Sequence, residues 1–273
     1  MVQLILGRDL HFAAPWEAFD LDELPREVEI DLGSVTFALP HGIVSLASLI
    51  DWLTRQEVAV SVRAPRNPDV ARYITRTHLP EFMSQRFVSH DFPQIRERDQ
   101  GMRMVELVPV TNSESVAGLA ESVFWFAKDH DEETAKNLYR AVCELGENIP
   151  SHAGTDMGFL FAQYFPYKRR YQFALADSGV GPLAKLATRG ASSHAHALTL
   201  AVTPGVSSSR DATRGYGLST IRETLINIGG NLNLASGDSF VTFNRHNVDG
   251  RFASLGGVIR GLVAHGEVIA LAK

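Results

Sequence analysis

The chain has 273 residues, of which 45% are hydrophobic and 21% charged, and its formal net charge is −5. The length corresponds to about two domains, and the composition excludes a disordered chain, a collagen and a coiled-coil rod. A mildly acidic chain is not built for non-specific nucleic-acid binding, which needs a basic surface. The single cysteine, Cys143, excludes an internal disulfide and a cysteine-based zinc cluster.

No apolar segment is long enough to cross a membrane, because a span needs about 18 uncharged residues. The best candidate, 255–264, contains Arg260. The amino terminus lacks the basic start and apolar core of a secretion signal. We therefore expect a cytoplasmic protein with no membrane partner and no nucleic-acid partner.

Strand-like and helix-like segments alternate in the first third of the chain, which is typical of a small α/β domain. Apolar residues that alternate with polar ones indicate strands, and apolar residues spaced three and four apart indicate helices. Asn67 and Pro68 form a typical helix start. These patterns predict strands over 28–32, 35–39 and 57–62 and helices over 43–53 and 67–75.

A charged, irregular stretch at 84–101 predicts a boundary between two domains, 1–95 and 102–273. In the second domain a Gly/Ser-rich loop region is expected up to Gly217, and a helix is expected to end at Gly229-Gly230. Short strands are expected after that helix. The sequence predicts strands over 104–110, 159–165, 171–176 and 239–244 and helices over 113–127, 132–149 and 218–228.

The helix predicted over 132–149 is the first of three segments with candidate chemistry. Glu144 and Asn148 are four residues apart, so they share a face beside the apolar stripe. A carboxylate can orient or deprotonate a water, and an amide oxygen suits Mg²⁺. The simpler interpretation is a solvated helix face.

The second segment is Asp177-Ser-Gly179-Val-Gly181, at the end of an apolar strand. A buried aspartate can accept a hydrogen bond from an exocyclic amine such as adenine N6, and glycines let backbone N–H groups approach a ligand. An ordinary Asp-Gly turn is the alternative. The spacing also fits a dinucleotide-binding loop, but 196–205 lacks the acidic residue which that fold needs.

The third segment runs from Arg210 to Leu218 and leads into a predicted helix. Glycines before a helix amino terminus form an anion site, and Arg210 and Arg214 could add charge-assisted contacts to phosphate. A flexible loop before a helix is the simpler interpretation.

In this order, the three segments resemble the signature boxes of the GHKL ATPase superfamily, which includes gyrase, sensor histidine kinases and mismatch-repair ATPases. Glu144 to Asn148 is similar to the N box, Asp177 to Gly181 to the first glycine box and Gly215 to Leu218 to the second. The resemblance covers roughly Val105 to Phe243. It implies an α/β (α+β) sandwich with helices on one face of a mixed sheet.

The resemblance also implies roles for single residues. Asn148 would hold Mg²⁺, Glu144 would be the catalytic base and Asp177 would bind adenine, while Gly179 and Gly181 would shape the base pocket. The other residues implied in ATP binding are Arg214, Gly215, Tyr216, Gly217 and Leu218, with the two glycines at the phosphates and 188–214 as a mobile lid. Pro150 departs from the pattern and predicts a kink, which affects the placement of His152.

The segment from Val28 to Met83 resembles a STAS domain, the fold of anti-anti-sigma factors. The similarity lies in residues 30–43, the helix that follows and the strand EVAVSV. In that family a serine before a glycine is phosphorylated by a partner GHKL kinase. Here His41 precedes Gly42, so the usual acceptor is missing. A generic α/β domain is the alternative.

Together, the resemblances imply an ATP- and Mg²⁺-binding regulatory switch, or a serine/threonine-kinase-like protein of the anti-sigma type. In the switch, ATP would order the lid and change how a partner docks. The alternative is a non-catalytic ATP-binding module whose STAS-like domain recruits another protein. The expected partners are ATP and another protein, and a homodimer is left open.

Two further classes have weaker support. A sensor kinase needs a phospho-relay histidine on a helix before the N box. The pair His130-Asp131 instead indicates the exposed start of the helix that carries the N box. A mechanical ATPase dimer usually needs a transducer domain, and only about 30 residues follow Phe243. His194 and His196 alternate without a third metal ligand nearby and are interpreted as lid or surface residues.

Overall fold

The computed structural model describes residues 2–11, 16, 24–96, 103–112, 114–128, 130–152, 157–206 and 217–269, with 147–152 described as backbone only. These residues form a mixed α/β fold. The strands are β1 Val2–Ile5, β2 Asp9–Leu10, β3 Glu27–Asp31, β4 Phe37–Ala38, β5 Ala59–Arg63, β6 Ser89–His90, β7 Met104–Val110, β8 Gly158–Phe165, β9 Arg170–Asp177, β10 Asn231–Asn244 and β11 Asn247–Ile269. The helices are α1 Pro40–Arg55, α2 Pro68–Arg76, α3 Leu79–Gln85, α4 Glu114–Ala127, α5 Glu132–His152, α6 Gly181–Leu186, α7 His194–Ala201 and α8 Gly217–Asn227. Among them, no helix has the length and apolar character of a membrane span.

The first part of the chain forms a four-stranded parallel sheet in the order β1-β3-β5-β6. Side chains alternate between the two faces of a strand. In β3, Val28 and Ile30 point into the core, whereas Glu29 points outward and pairs with Arg63 at 3.2 Å. The inner face packs against α1, so one side of this sheet faces solvent.

The second part forms a five-stranded sheet in the order β10-β11-β9-β8-β7. All of its described strand pairs are antiparallel, so the expectation of a mixed sheet is wrong. For two of these pairs the physical reason is that short turns join β8 to β9 and β10 to β11, and a short turn can join only antiparallel neighbours.

Two different helical layers cover the five-stranded sheet. We call the side that carries Phe173 and Leu175 the front face, and it packs against α4, α5 and α8. The side that carries Ala174 and Ala176 is the back face, and it packs against α1. Helix α1 therefore lies between the two sheets, and one hydrophobic core joins them.

Helix α1 is buried at every position from Pro40 to Leu53. Its first turn lies against β2, where a Cβ on Gly42 would overlap the backbone of Leu10. The sequence predicts this helix from one apolar face. Because the second sheet covers the other side, its polar residues Ser45, Ser48 and Asp51 are buried as well.

Several elements differ from those that the sequence predicts. Helix α5 continues past Pro150 to His152 instead of ending at 149, and the segment at 35–39 forms only the two-residue strand β4. The stretch at 84–101 contains β6, and its residues 97–102 lie outside the described part of the chain. The two-domain division remains a prediction.

The region expected to be a loop before Gly217 contains α6 and α7. Ser193 caps α7 by accepting a hydrogen bond from the His196 N–H at 3.1 Å, and Ala197 and Leu198 are buried. The segments after α8 are two long strands rather than several short ones. Helix α8 ends at Asn227, just before Gly229, which has a φ of +74°.

Candidate functional site

Asp177 is the last residue of β9, where it is paired with Gly158 of β8 and Leu262 of β11. Strand alternation places it on the front face, after Phe173 and Leu175. The residue is 7% exposed, and its Oδ1 accepts a hydrogen bond of 2.8 Å from the Gly179 N–H. The carboxyl group is therefore held at the edge of the sheet by the turn that follows it.

The charge on Asp177 is balanced by Lys185, one helical turn into α6. Burial raises the pKa of the Asp177 carboxyl group, while Lys185 and the N–H groups of Gly179 and Leu262 act in the opposite direction. Burial lowers the pKa of the Lys185 ammonium, and Asp177 opposes that shift. Such a desolvated carboxyl group is suited to accepting a hydrogen bond from a neutral amine donor.

Two glycines bring the β10–β11 hairpin against this turn. Gly181 has a φ of +73°, and a Cβ there would lie 3.1 Å from both the Gly261 carbonyl oxygen and Ser236 Oγ. Gly261 has a φ of +80°, and its Cβ would overlap the backbone of Asp177. Only glycine fits at Gly261, because the strand passes directly against the aspartate.

Glu144, a residue of α5, lies beside the amino terminus of α8. A Cβ on Gly217, the first residue of α8, would lie 3.3 Å from both Cβ and Cδ of Glu144. Leu218 is partly buried against the front-face core. Asn148 is one turn beyond Glu144 on α5, and its side chain lies outside the description. The structure thus brings Glu144 and Gly217 together.

Three of the predicted phosphate-site residues, Arg214, Gly215 and Tyr216, lie outside the described residues. So does the second part of the predicted lid, from 207 onward. In the first part, the ring of His194 packs where a Cβ on Gly237 would overlap it. His196 Nδ1 lies 3.1 Å from Ser192 Oγ.

Sequence reasoning missed four residues of this region: Ser178, Lys185, Gly261 and Arg55. Arg55, at the end of α1, donates a hydrogen bond of 2.6 Å to Ser178 Oγ from the back side of the sheet. Lys185 could have been found as the cation four residues after Gly181. The other contacts depend on strand and helix packing between distant parts of the chain.

The structure also places His41, the residue that the STAS resemblance aligns with the acceptor serine. It is 5% exposed, and its ring centroid lies 4.6 Å from that of His265 on the back face. This position is therefore packed between the two sheets.

Among the residues whose side chains are described, no group of three or more His, Cys, Asp or Glu could hold a metal ion. No family model matches the chain, and no curated protein sequence matches it.

Proposed function

We propose that the chain is a GHKL-type protein that binds ATP with Mg²⁺ on the front face and acts as a nucleotide-dependent regulatory switch. The supporting observation is that three segments distant in sequence share this face. Helices α5 and α8 pack together with Glu144 at Gly217, and Asp177 ends a strand of the sheet beneath them. This is the juxtaposition that the three signature boxes imply.

In this proposal each part of the site binds a different part of the nucleotide. The buried Asp177 carboxyl group accepts a hydrogen bond from the adenine amine. The amino terminus of α8 faces the phosphates, because unpaired N–H groups and the helix dipole favour anions there.

The donors proposed for Mg²⁺ are hard oxygens, which fit this cation. Asn148 would hold the ion, and the ion would neutralise phosphate charge. Glu144, already at the start of α8, would orient or deprotonate a water.

The switch would act through the layer between the sheets. Helix α1 belongs to the STAS-like segment and packs on the back of the sheet that carries Asp177. A partner protein that binds this segment would therefore contact a layer adjoining the nucleotide site. The buried position of His41 favours the switch over a chain that phosphorylates its own first domain.

The test of ATP binding is calorimetric titration of MgATP into the wild type and Asp177→Asn. We expect saturable binding that the substitution weakens by at least tenfold. Asp249→Asn, the same change at an exposed position of β11, serves as the control and should bind like the wild type. A folded wild type that does not bind MgATP would refute the proposal.

A second experiment separates an ATPase or kinase from a non-catalytic binding module. Glu144→Ala should abolish any phosphate release while it leaves MgATP binding within a few-fold of the wild type. Glu133→Ala, an exposed position on the same helix, is the matched control. Equal phosphate release by Glu144→Ala and the wild type would refute the role of Glu144 as base.

A further inference from the structure

The residues Asp177 and Ser178 connect the two sides of the five-stranded sheet. Asp177 lies on the front face by strand alternation. Ser178 accepts a hydrogen bond from Arg55 of α1, which lies on the back face. Ser178 is 3% exposed and the Arg55 side chain is 33% exposed, so this hydrogen bond of 2.6 Å is partly buried. The turn at the proposed base site is therefore attached to the helix between the two sheets.

Arg55 is itself held by a buried carboxylate. Its Nε donates a hydrogen bond of 2.9 Å to Asp51 Oδ2, one turn earlier on α1. The Asp51 side chain is 0% exposed, and its other oxygen lies 2.7 Å from Nη2 of Arg86. A buried carboxylate stays with its cations because an unpaired buried charge is costly. Arg55 is therefore anchored before it reaches Ser178.

The chemistry of arginine explains why this residue can connect two groups. Its guanidinium is a rigid, planar fork, so Nε can bind Asp51 while Nη2 binds Ser178. A lysine ammonium is a compact point charge at the end of a flexible stem, and it lacks a second donor at that fixed separation. The distance from the end of α1 to the turn after β9 is thus set by one rigid group.

We propose that Arg55 is a positioning residue for recognition of the nucleotide base, and this inference rests on the proposed function. By holding Ser178 from the back, Arg55 sets the position of the neighbouring Asp177 carboxyl group, which also accepts a hydrogen bond from the Gly179 N–H. A ligand amine is discriminated only when its acceptor is held in place by the surrounding groups. Arg55 does not touch the nucleotide.

The test measures base discrimination, which a loss of folded protein alone does not change. MgADP and MgIDP are titrated into each variant, because the inosine base carries an oxygen in place of the adenine amine. We expect the wild type to prefer MgADP, and Asp177→Asn to lose that preference. Arg55→Met and Ser178→Ala should each lower the preference for MgADP at least fivefold, and Arg55→Lys should lower it as Arg55→Met does. The double variant Arg55→Met/Ser178→Ala should keep a preference no lower than that of the more affected single variant, because both changes remove the same interaction.

Two control variants separate positioning from stability. Arg86→Met removes the other cation of Asp51 without touching Ser178, so it should lower stability in urea but leave the MgADP/MgIDP ratio within twofold. Arg63→Met removes an arginine that pairs with Glu29 and Asp31 on the far sheet, and should also leave the ratio unchanged.

The outcomes distinguish this inference from the proposed function. If the wild type prefers MgADP and Asp177→Asn loses the preference, but Arg55→Met and Ser178→Ala keep it, Arg55 is not a positioning residue and the proposed function stands. An equal drop of the ratio in Arg86→Met would also overturn the inference. A wild type that binds neither nucleotide overturns both proposals.

Discussion

The front and back faces of the five-stranded sheet are covered by helices in opposite ways. On β9 the front face presents Tyr171, Phe173 and Leu175, whereas the back face presents Ala174 and Ala176. Large side chains on the front interlock with those of three helices. On the back of β9, the small side chains let α1 approach this strand closely. Alternate residues of this one strand therefore present faces of different side-chain size to the helices on either side.

The two faces also differ in the polar groups that their helix interfaces contain. The back-face interface buries His41 against His265, and it buries Asp51 with two arginines. The front-face interface is mostly apolar until it reaches Asp177 at its edge. We expect the front to respond mainly to lost volume and the back to added volume and to charge.

The largest effect is expected for Phe173→Ala on the front face. The ring of Phe173 fills the space over Gly266, and the residue is 1% exposed. Removal of the ring leaves a cavity and also loses the free energy gained by burying the ring. Unfolding in urea should therefore show a destabilisation of about 3–5 kcal/mol. Phe87→Ala, at a residue that is 98% exposed, is the control and should cost much less. Equal costs would contradict the packing described for the front face.

Added volume on the back face should have the next largest effect. Ala174→Leu places three more carbons where α1 approaches the sheet, and overpacking of this kind costs about 1–3 kcal/mol. Ala59→Leu makes the same change on the solvent side of β5 and should leave the urea midpoint nearly unchanged. The description of α1 as closely packed would be wrong if Ala174→Leu were neutral.

Charge at the back face should make stability depend on pH. Burial lowers the pKa of His265 to about 4, with Glu267 opposing the shift. Burial, with charge on His265 and His11, lowers the pKa of His41 well below its usual value. These two histidines then bind more protons in the unfolded chain than in the folded chain between about pH 6.5 and 4. Their contribution to stability is fully present above this window and is lost as the pH drops through it.

The measurement is the free energy of unfolding in urea across that pH range. Each extra proton bound by the unfolded chain contributes a slope of about 1.4 kcal/mol per pH unit. His265→Gln should reduce the slope, whereas His246→Gln, in the exposed turn between β10 and β11, should not. An unchanged slope in His265→Gln would show that this histidine does not carry the effect.

The smallest effect is expected for Tyr73→Phe, which tests a single contact between α2 and the five-stranded sheet. The Tyr73 hydroxyl donates a hydrogen bond of 2.5 Å to Gln163 Oε1 of β8. Its removal should cost about 1 kcal/mol in thermal or urea unfolding. Tyr167→Phe, at a fully exposed ring, should cost nothing measurable. A loss no larger than that of the control would show that this contact adds no stability.

Local signals in the sequence predicted much of the fold. Asn67 caps α2, as its position before Pro68 indicates, and its Oδ1 accepts a hydrogen bond of 2.9 Å from the Asp69 N–H. The strand β9 and the position of Asp177 at its end follow from an apolar run that stops at an aspartate. These features depend on neighbouring residues, so one segment contains the whole signal.

The rest depends on contacts between distant segments. Nothing local to α1 shows that its second side is buried, because that burial comes from the back face of the five-stranded sheet. Glycines interrupt the strand pattern of β11, so the sequence does not predict its full length. The pairing of β11 with β9 is seen only in the structure. At the candidate site, the same holds for Arg55 and Gly261, whereas Glu144 and Gly217 were predictable from motifs.

The position of β11 has a consequence for how the chain folds during synthesis. Strand β11 lies between β9 and β10, so Asp177 emerges from the ribosome long before Leu262, the residue opposite it. Helix α1 can form early beside β5, but it has no complete sheet to cover until β11 is inserted. Nascent chains that end before β11 should therefore leave uncovered the part of α1 where His41 faces His265, although β8 and β9 already pack on the rest of that side.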